Sequence, residues 1–167
     1  MVNNMPQLQD KQLIYHYLSE ISDPEIPVIN IIEMGVVRDV LFHDLNLEIL
    51  LTPTYSGCPA MDMIDQMIKE KLRSKGYESV ATTLVYKPAW TTDWMSAETK
   101  EKLRAYGIAP PVGKATSKKG LLNQEMVSCP QCGSKNTEIK SMFGSTACKA
   151  LYLCENCLEP FDYFKCI

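Results

Sequence analysis

The sequence predicts an α+β fold: a small two-layer α/β sandwich followed by a compact cysteine-rich module. Three observations predict it. Apolar residues recur at helical spacing in some stretches and at strand-like density in others, in the order α-β-β-α-β-α. The pattern fades after Pro110-Pro111, over VGKATSKKGLLNQEM. Six of the seven cysteines lie at or beyond position 129. The expected organisation is a first domain over 1–111, a linker over 112–126 and a C-terminal module over 127–167. A module of about 40 residues rarely holds together by burial alone, and calls for a metal or disulfides.

The first helix follows Asp10, a candidate N-cap, and carries Leu13, Ile14, Tyr17, Leu18 and Ile21 on one face. Asp23-Pro24 and Ile26-Pro27 end it in an extended turn. Gly35 to Phe42 and Leu47 to Leu51 are rich in Val, Leu and Ile, with His43 to Asn46 between them, which predicts a hairpin. Met61, Ile64, Ile68 and Leu72 then define a second helix. Asp62 and Asp65 stand near its start, Lys69, Lys71, Arg73 and Lys75 near its end, and Gly76 beyond; this order suits the helix dipole and a glycine stop. Val80 to Tyr86 predicts a third strand. Ser96 caps a short charged helix that Gly107 stops after Tyr106.

The composition is that of a globular chain, 46% apolar and 22% charged. The first ten residues are polar, so no secretory leader is expected, and no apolar run is long enough to span a bilayer. A cytoplasmic location follows as the expectation. Thiols stay reduced there, so seven cysteines point to metal or redox chemistry. The net charge of −3 and the neutral C-terminal module argue against nucleic acid as a partner.

Cys129-Pro130-Gln131-Cys132 and Cys154-Glu155-Asn156-Cys157 are two C-x2-C pairs. Each pair can bend around one ion, and four thiolates complete a tetrahedral shell, the usual structural zinc arrangement. Short β-rich segments (Glu138 to Met142, Ala150 to Leu153, Phe161 to Phe164) suit a zinc ribbon. Four thiolates also hold iron. Cys148 and Cys166 are either buried small residues or extra thiolates for a transient metal or cluster.

Cys58 stands apart, in TYSGCPAMDMI. With Pro59 at the first helical position, Cys58 falls at or near the N-cap, where the dipole and free amides favour thiolate. No base is tied to it by spacing: His16 lies on the first helix and His43 in the hairpin turn. Cys58 therefore reads as a metal-handling thiol or as a small residue in a tight turn, and not as a hydrolase nucleophile. Asp23 and Glu25 are either acidic ligands or turn formers. Trp90, Asp93 and Trp94 form a docking surface if their segment is a loop, and otherwise pack over the sheet.

SDPEIPVINIIEMGVV and TPTYSGCPAMDMI together resemble the MIP18 family (the domain of unknown function 59), which is linked to iron–sulfur cluster assembly. Asp23-Pro24-Glu25, Thr54 and Cys58-Pro59 carry that resemblance. PAWTTDWM, YGIAPP, FGSTACKALYLC and EPFDYFKCI extend it to the family of phenylacetate-degradation D proteins, accessory to a ring-1,2-phenylacetyl-CoA epoxidase. The resemblance implies a maturation factor, not itself catalytic, for an iron centre of that multicomponent monooxygenase in aerobic phenylacetate catabolism. Its partners would be the oxygenase and reductase components, with a homodimer as a further expectation. Cys58 would bind or pass on a transient iron–sulfur cluster, with Asp23, Glu25 and Thr54 shaping the turn beside it and zinc held by the ribbon. A non-catalytic structural or docking component of the epoxidase is the alternative. The chain has no E-x-x-H pair and no Gly-rich dinucleotide fingerprint, so the redox chemistry itself is not expected of it.

Overall fold

The computed structural model describes residues 10–44, 46–113 and 126–166. Most of the predicted linker and the polar N-terminal stretch up to residue 9 lie outside the described residues. The chain divides into two compact units.

The first unit takes in the described residues to Pro53 and Pro59–Tyr86. Helix α1 (Lys11–Ser19) starts where Asp10 Oδ1 accepts the amides of Gln12 and Leu13 at 2.9 and 3.3 Å. Strands β1 (Val37–His43) and β2 (Asn46–Leu51) form the predicted antiparallel hairpin. Helix α2 (Ala60–Ser74) follows, and Gly76 beyond it takes a left-handed φ of 91°, as the sequence anticipates. Strand β3 (Val80–Leu84) then adds to β2 in parallel, giving the order β1-β2-β3. A parallel neighbour needs a crossover connection, and α2 supplies it. Ile14 and Leu18 of α1, Ile64, Ile68 and Leu72 of α2, and Leu47, Ile49 and Leu51 of β2 are all buried. One helix face and alternate strand residues thus close a two-layer core.

The second unit holds Thr54–Cys58 and the described residues from Lys87. A one-turn 3-10 helix (Thr92–Trp94) precedes α3 (Ala97–Tyr106). Ser96 Oγ accepts the Thr99 amide at 3.0 Å, and Gly107 ends α3 at φ 99°. Then come β4 (Ile108–Ala109), β5 (Thr137–Ser141), β6 (Lys149–Cys154) and β7 (Pro160–Phe164), in the sheet order β4-β7-β6-β5. The last three strands are the predicted ribbon. Two-residue β4 is not anticipated by the sequence, being too short to show a period. It pairs in parallel with β7, Ile108 opposite Asp162 and Ala109 opposite Tyr163. Residues 87–111, which the sequence assigns to the first domain, therefore belong with the ribbon.

Candidate functional site

The four ribbon cysteines converge. Their Sγ atoms all lie within 4.8 Å of one another. Cys129 and Cys157 approach to 3.7 Å, and Cys132 and Cys154 to 3.5 Å. A tetrahedral ion with bonds of about 2.3 Å would set its sulfurs about 3.8 Å apart, so the thiols present fit one such ion.

Two turns of the same design bring them there. In the first, Cys129 donates its amide to the Ser134 carbonyl (2.8 Å), and Gly133 donates to the Cys129 carbonyl (2.9 Å). In the second, Cys154 donates to the Glu159 carbonyl (3.0 Å), and Leu158 to the Cys154 carbonyl (2.9 Å). Each turn needs a left-handed residue just after its second cysteine. Gly133 supplies it at φ 74°, and Leu158 at φ 63°. The Glu155 amide bonds to the Asn136 carbonyl at 2.9 Å, and the Asn136 side chain to that of Asn156, which ties the second turn to the end of the first.

The protons of the metal-free thiols are unequally held. The Cys157 amide, with that of Asn156, brings the Cys154 thiol down to about 6. For Cys157 the Glu159 amide acts to lower the value, but burial and the neighbouring thiols outweigh it and push it up to about 12. A bound cation would remove this contest by holding all four as thiolates.

Cys58 is half-buried and lies outside that quartet. Its amide donates to the Tyr55 carbonyl at 3.3 Å, after Gly57 at φ 81°. Pro59 is the N-cap residue of α2, so Cys58 stands directly before it, near the N-cap as expected. Thr54 is buried, and so is Asp23. Asp23 Oδ1 accepts the amides of Glu25 (2.9 Å) and Ile26 (2.8 Å), which is turn chemistry. Glu25 is half-buried.

Of the aromatic segment, Trp90 packs inward while Asp93 stays exposed. Trp90 is 3% exposed, and its ring lies 6.0 Å from that of Phe164 on β7. Trp94 meets it edge-on at 6.5 Å and is half-buried, leaving Asp93 exposed. An indole is large and mostly apolar, so the segment turns it onto the ribbon sheet.

Cys148 and Cys166 do not join the quartet. Cys148 is buried, 2.9 Å from Thr146 Oγ1. Cys166 donates to the Val112 carbonyl at 3.1 Å. Around Cys148 the structure adds a cluster that the sequence does not single out. Asp162 accepts from the Ser145 hydroxyl at 2.7 Å and lies 3.7 Å from the ammonium of buried Lys149. Gly144 packs so closely there that a Cβ would overlap Asp162. The pattern G-S-T before a lysine is the visible trace of this tight loop.

An α/β unit of this topology, joined to a strand ribbon closing on four thiols, defines a two-part metal-binding protein. The chain is 49% identical over 162 residues, 97% of its own length and 94% of the other, to an Escherichia coli (strain K12) protein provisionally named as the D subunit of 1,2-phenylacetyl-CoA epoxidase. It belongs to the family of that protein. Residues 113–165 match the PaaD zinc beta ribbon domain, and residues 11–83 match the iron-sulfur cluster assembly protein family. An Fe-S protein maturation auxiliary factor of Porphyromonas gingivalis (strain ATCC BAA-308 / W83) is 36% identical over 93 residues, 54% of this chain and 88% of that protein. A crystal structure of a domain of unknown function 59 from Bacillus anthracis covers 56% of this chain and 90% of its own, at 28% identity and a TM-score of 0.51. Among the described residues no helix is long and apolar enough to cross a membrane.

Proposed function

We propose that the protein is an accessory factor that helps mature an iron centre in the oxygenase or reductase components of a phenylacetyl-CoA epoxidase. Cys58 is its working thiol, and the iron–sulfur cluster is cargo that passes through the protein. The observation that carries this reading is the union in one chain of an assembly-type domain containing Cys58 with a ribbon of the epoxidase-associated D family. Zinc is the proposed occupant of the quartet, because four thiolates closed around one point leave no open position for chemistry. Asp23 shapes its own turn through two amide bonds and is a second candidate functional element. The docking alternative rests on less, since Trp90 is buried.

The test is anaerobic reconstitution with iron and sulfide. The wild type should develop visible cluster absorption that Cys58→Ser loses, while both retain one equivalent of zinc. Equal absorption in the two proteins would remove Cys58 from the role.

A further inference from the structure

We propose that Cys132 is an oxidation site for peroxides, and that its oxidised sulfur closes onto Cys154 and opens the metal quartet. All seven cysteines lie among the described residues, and Cys132 alone is exposed. Cys129 and Cys154 are buried and Cys157 is half-buried, so one ligand of the quartet is open to solvent. The first turn makes that opening. Its Gln131 and Gly133 are exposed, and a side chain added at Gly133 would meet nothing within 4 Å. In the second turn the matching residue, Leu158, carries a full side chain, and Cys157 before it is half-buried. A sulfur held as thiolate by a cation and open to solvent is the form that small oxidants attack.

The partner for the oxidised sulfur lies across the two turns. Cys132 Sγ stands 3.5 Å from Cys154 Sγ, 22 residues away in the chain. Attack on hydrogen peroxide forms an S–O bond at Cys132, while the O–O bond breaks and hydroxide departs. The Cys154 thiolate then attacks that sulfur, forming the S–S bond and expelling a second hydroxide. Two protons convert the hydroxides to water, and the peroxide has gained the two electrons that the two sulfurs lost. Cys129 and Cys157 remain as thiolates, too few to complete a tetrahedral shell, so the ion is released. The link joins the same two turns that the ion joins. The Glu155 amide on the Asn136 carbonyl and the Asn136–Asn156 side-chain bond hold those turns in register for it. Oxidation thus replaces a metal tie by a covalent one, and a thiol reductant with zinc reverses it.

The inference rests on the quartet as a metal site and does not involve Cys58, so its failure and a failure of cluster handling are read separately. The zinc-loaded full chain would be treated with hydrogen peroxide in two arms. With dimedone present to trap the first oxidised sulfur, Cys132 should be labelled about tenfold faster than any other cysteine, by peptide mass spectrometry. Without dimedone, non-reducing peptide maps should show Cys132 joined to Cys154, and a chromogenic chelator should report zinc release in step with that link. Dithiothreitol with added zinc should restore the metal content. The oxidised, zinc-free chain should also melt at a higher temperature than the reduced, zinc-free chain, because the link restricts the unfolded state. The proposal is overturned if labelling falls first on another cysteine or evenly on all seven. It is equally overturned if the main link is Cys129 to Cys132, or if zinc leaves without any link forming.

Discussion

The two compact units reach stability by different means. The first closes on side chains alone: Ile14, Leu18, Ile49, Ile64, Ile68 and Leu72 are each 0–1% exposed and come from three elements. At the metal end of the second, two of five buried residues are thiols aimed at one point. Their value is low until a cation joins them. One region stores its stability in packing, and the other in a bond to something it must acquire. The lesson is that loss of metal and loss of a core methyl group should strike different parts of the same chain.

Metal removal should have the largest effect. Structural zinc supplies apparent binding energies of roughly 10–16 kcal/mol in small modules, so stripping it, or Cys132→Ser with Cys157→Ser, should abolish amide-exchange protection across 126–166. Residues 11–86, other than 54–58, should keep theirs. Uniform loss would break the comparison.

The mirror experiment is Ile49→Ala. Truncating a fully buried isoleucine costs about 2–5 kcal/mol, and urea unfolding should show that loss for the first unit while zinc content is unchanged. Zinc release at the same urea concentration would join the two units into one cooperative block.

Gly144→Ala sharpens the picture inside the second unit. The added methyl would overlap the Asp162 carboxylate and press on the Ala150 carbonyl carbon at 3.3 Å. A cost of about 1–3 kcal/mol is expected, with metal retained, by differential scanning calorimetry.

The two cysteine turns offer a smaller contrast. Leu158 holds a left-handed φ of 63° that Gly133 holds without a Cβ. Leu158→Gly should leave the chelation geometry intact and raise stability by about 0.5–1 kcal/mol, whereas Gly133→Leu should lower it by about 1–2 kcal/mol. Opposite signs in thermal melts of the two zinc-loaded variants are the expected result.

The smallest effect concerns Asp65 in the first unit. Burial acts to raise its carboxyl, but hydrogen bonds from Lys69 and Thr82 outweigh this and hold it below its ordinary 3.8. A folded value below the unfolded one means the contribution is complete above about pH 4–5 and is lost as pH falls through the folded value. Asp65→Asn should therefore cost about 0.5 kcal/mol at neutral pH, and the difference from wild type should vanish in acid unfolding curves.

Much of this was legible in the sequence, for reasons that differ by residue. Helix α2 was readable because Met61, Ile64, Ile68 and Leu72 repeat over a long span and the charges agree with the dipole. The quartet was readable because chelation by C-x2-C is local in sequence. Trp90 was read two ways, as loop surface or as packing over a sheet, since a lone tryptophan among Pro, Thr and Asp gives no period to choose between them. The parallel seat of β3 beside β2 was not readable, being a tertiary choice. Cys58 was correctly set near the start of α2, but the unit to which its loop belongs depends on packing that no local pattern encodes.

The pairing of β4 with β7 also sets a folding order. Ile108 meets Asp162 across roughly fifty intervening residues, whereas the β5–β6 and β6–β7 pairs close short loops. Short closures form faster, so the ribbon and its ion should assemble first and β4 should dock afterwards. On a ribosome, the stretch from Trp90 to Ala109 would emerge well before the strand that receives it. Its tryptophans would stay exposed during that interval, and a supply of metal once the ribbon has emerged would decide how long the interval lasts.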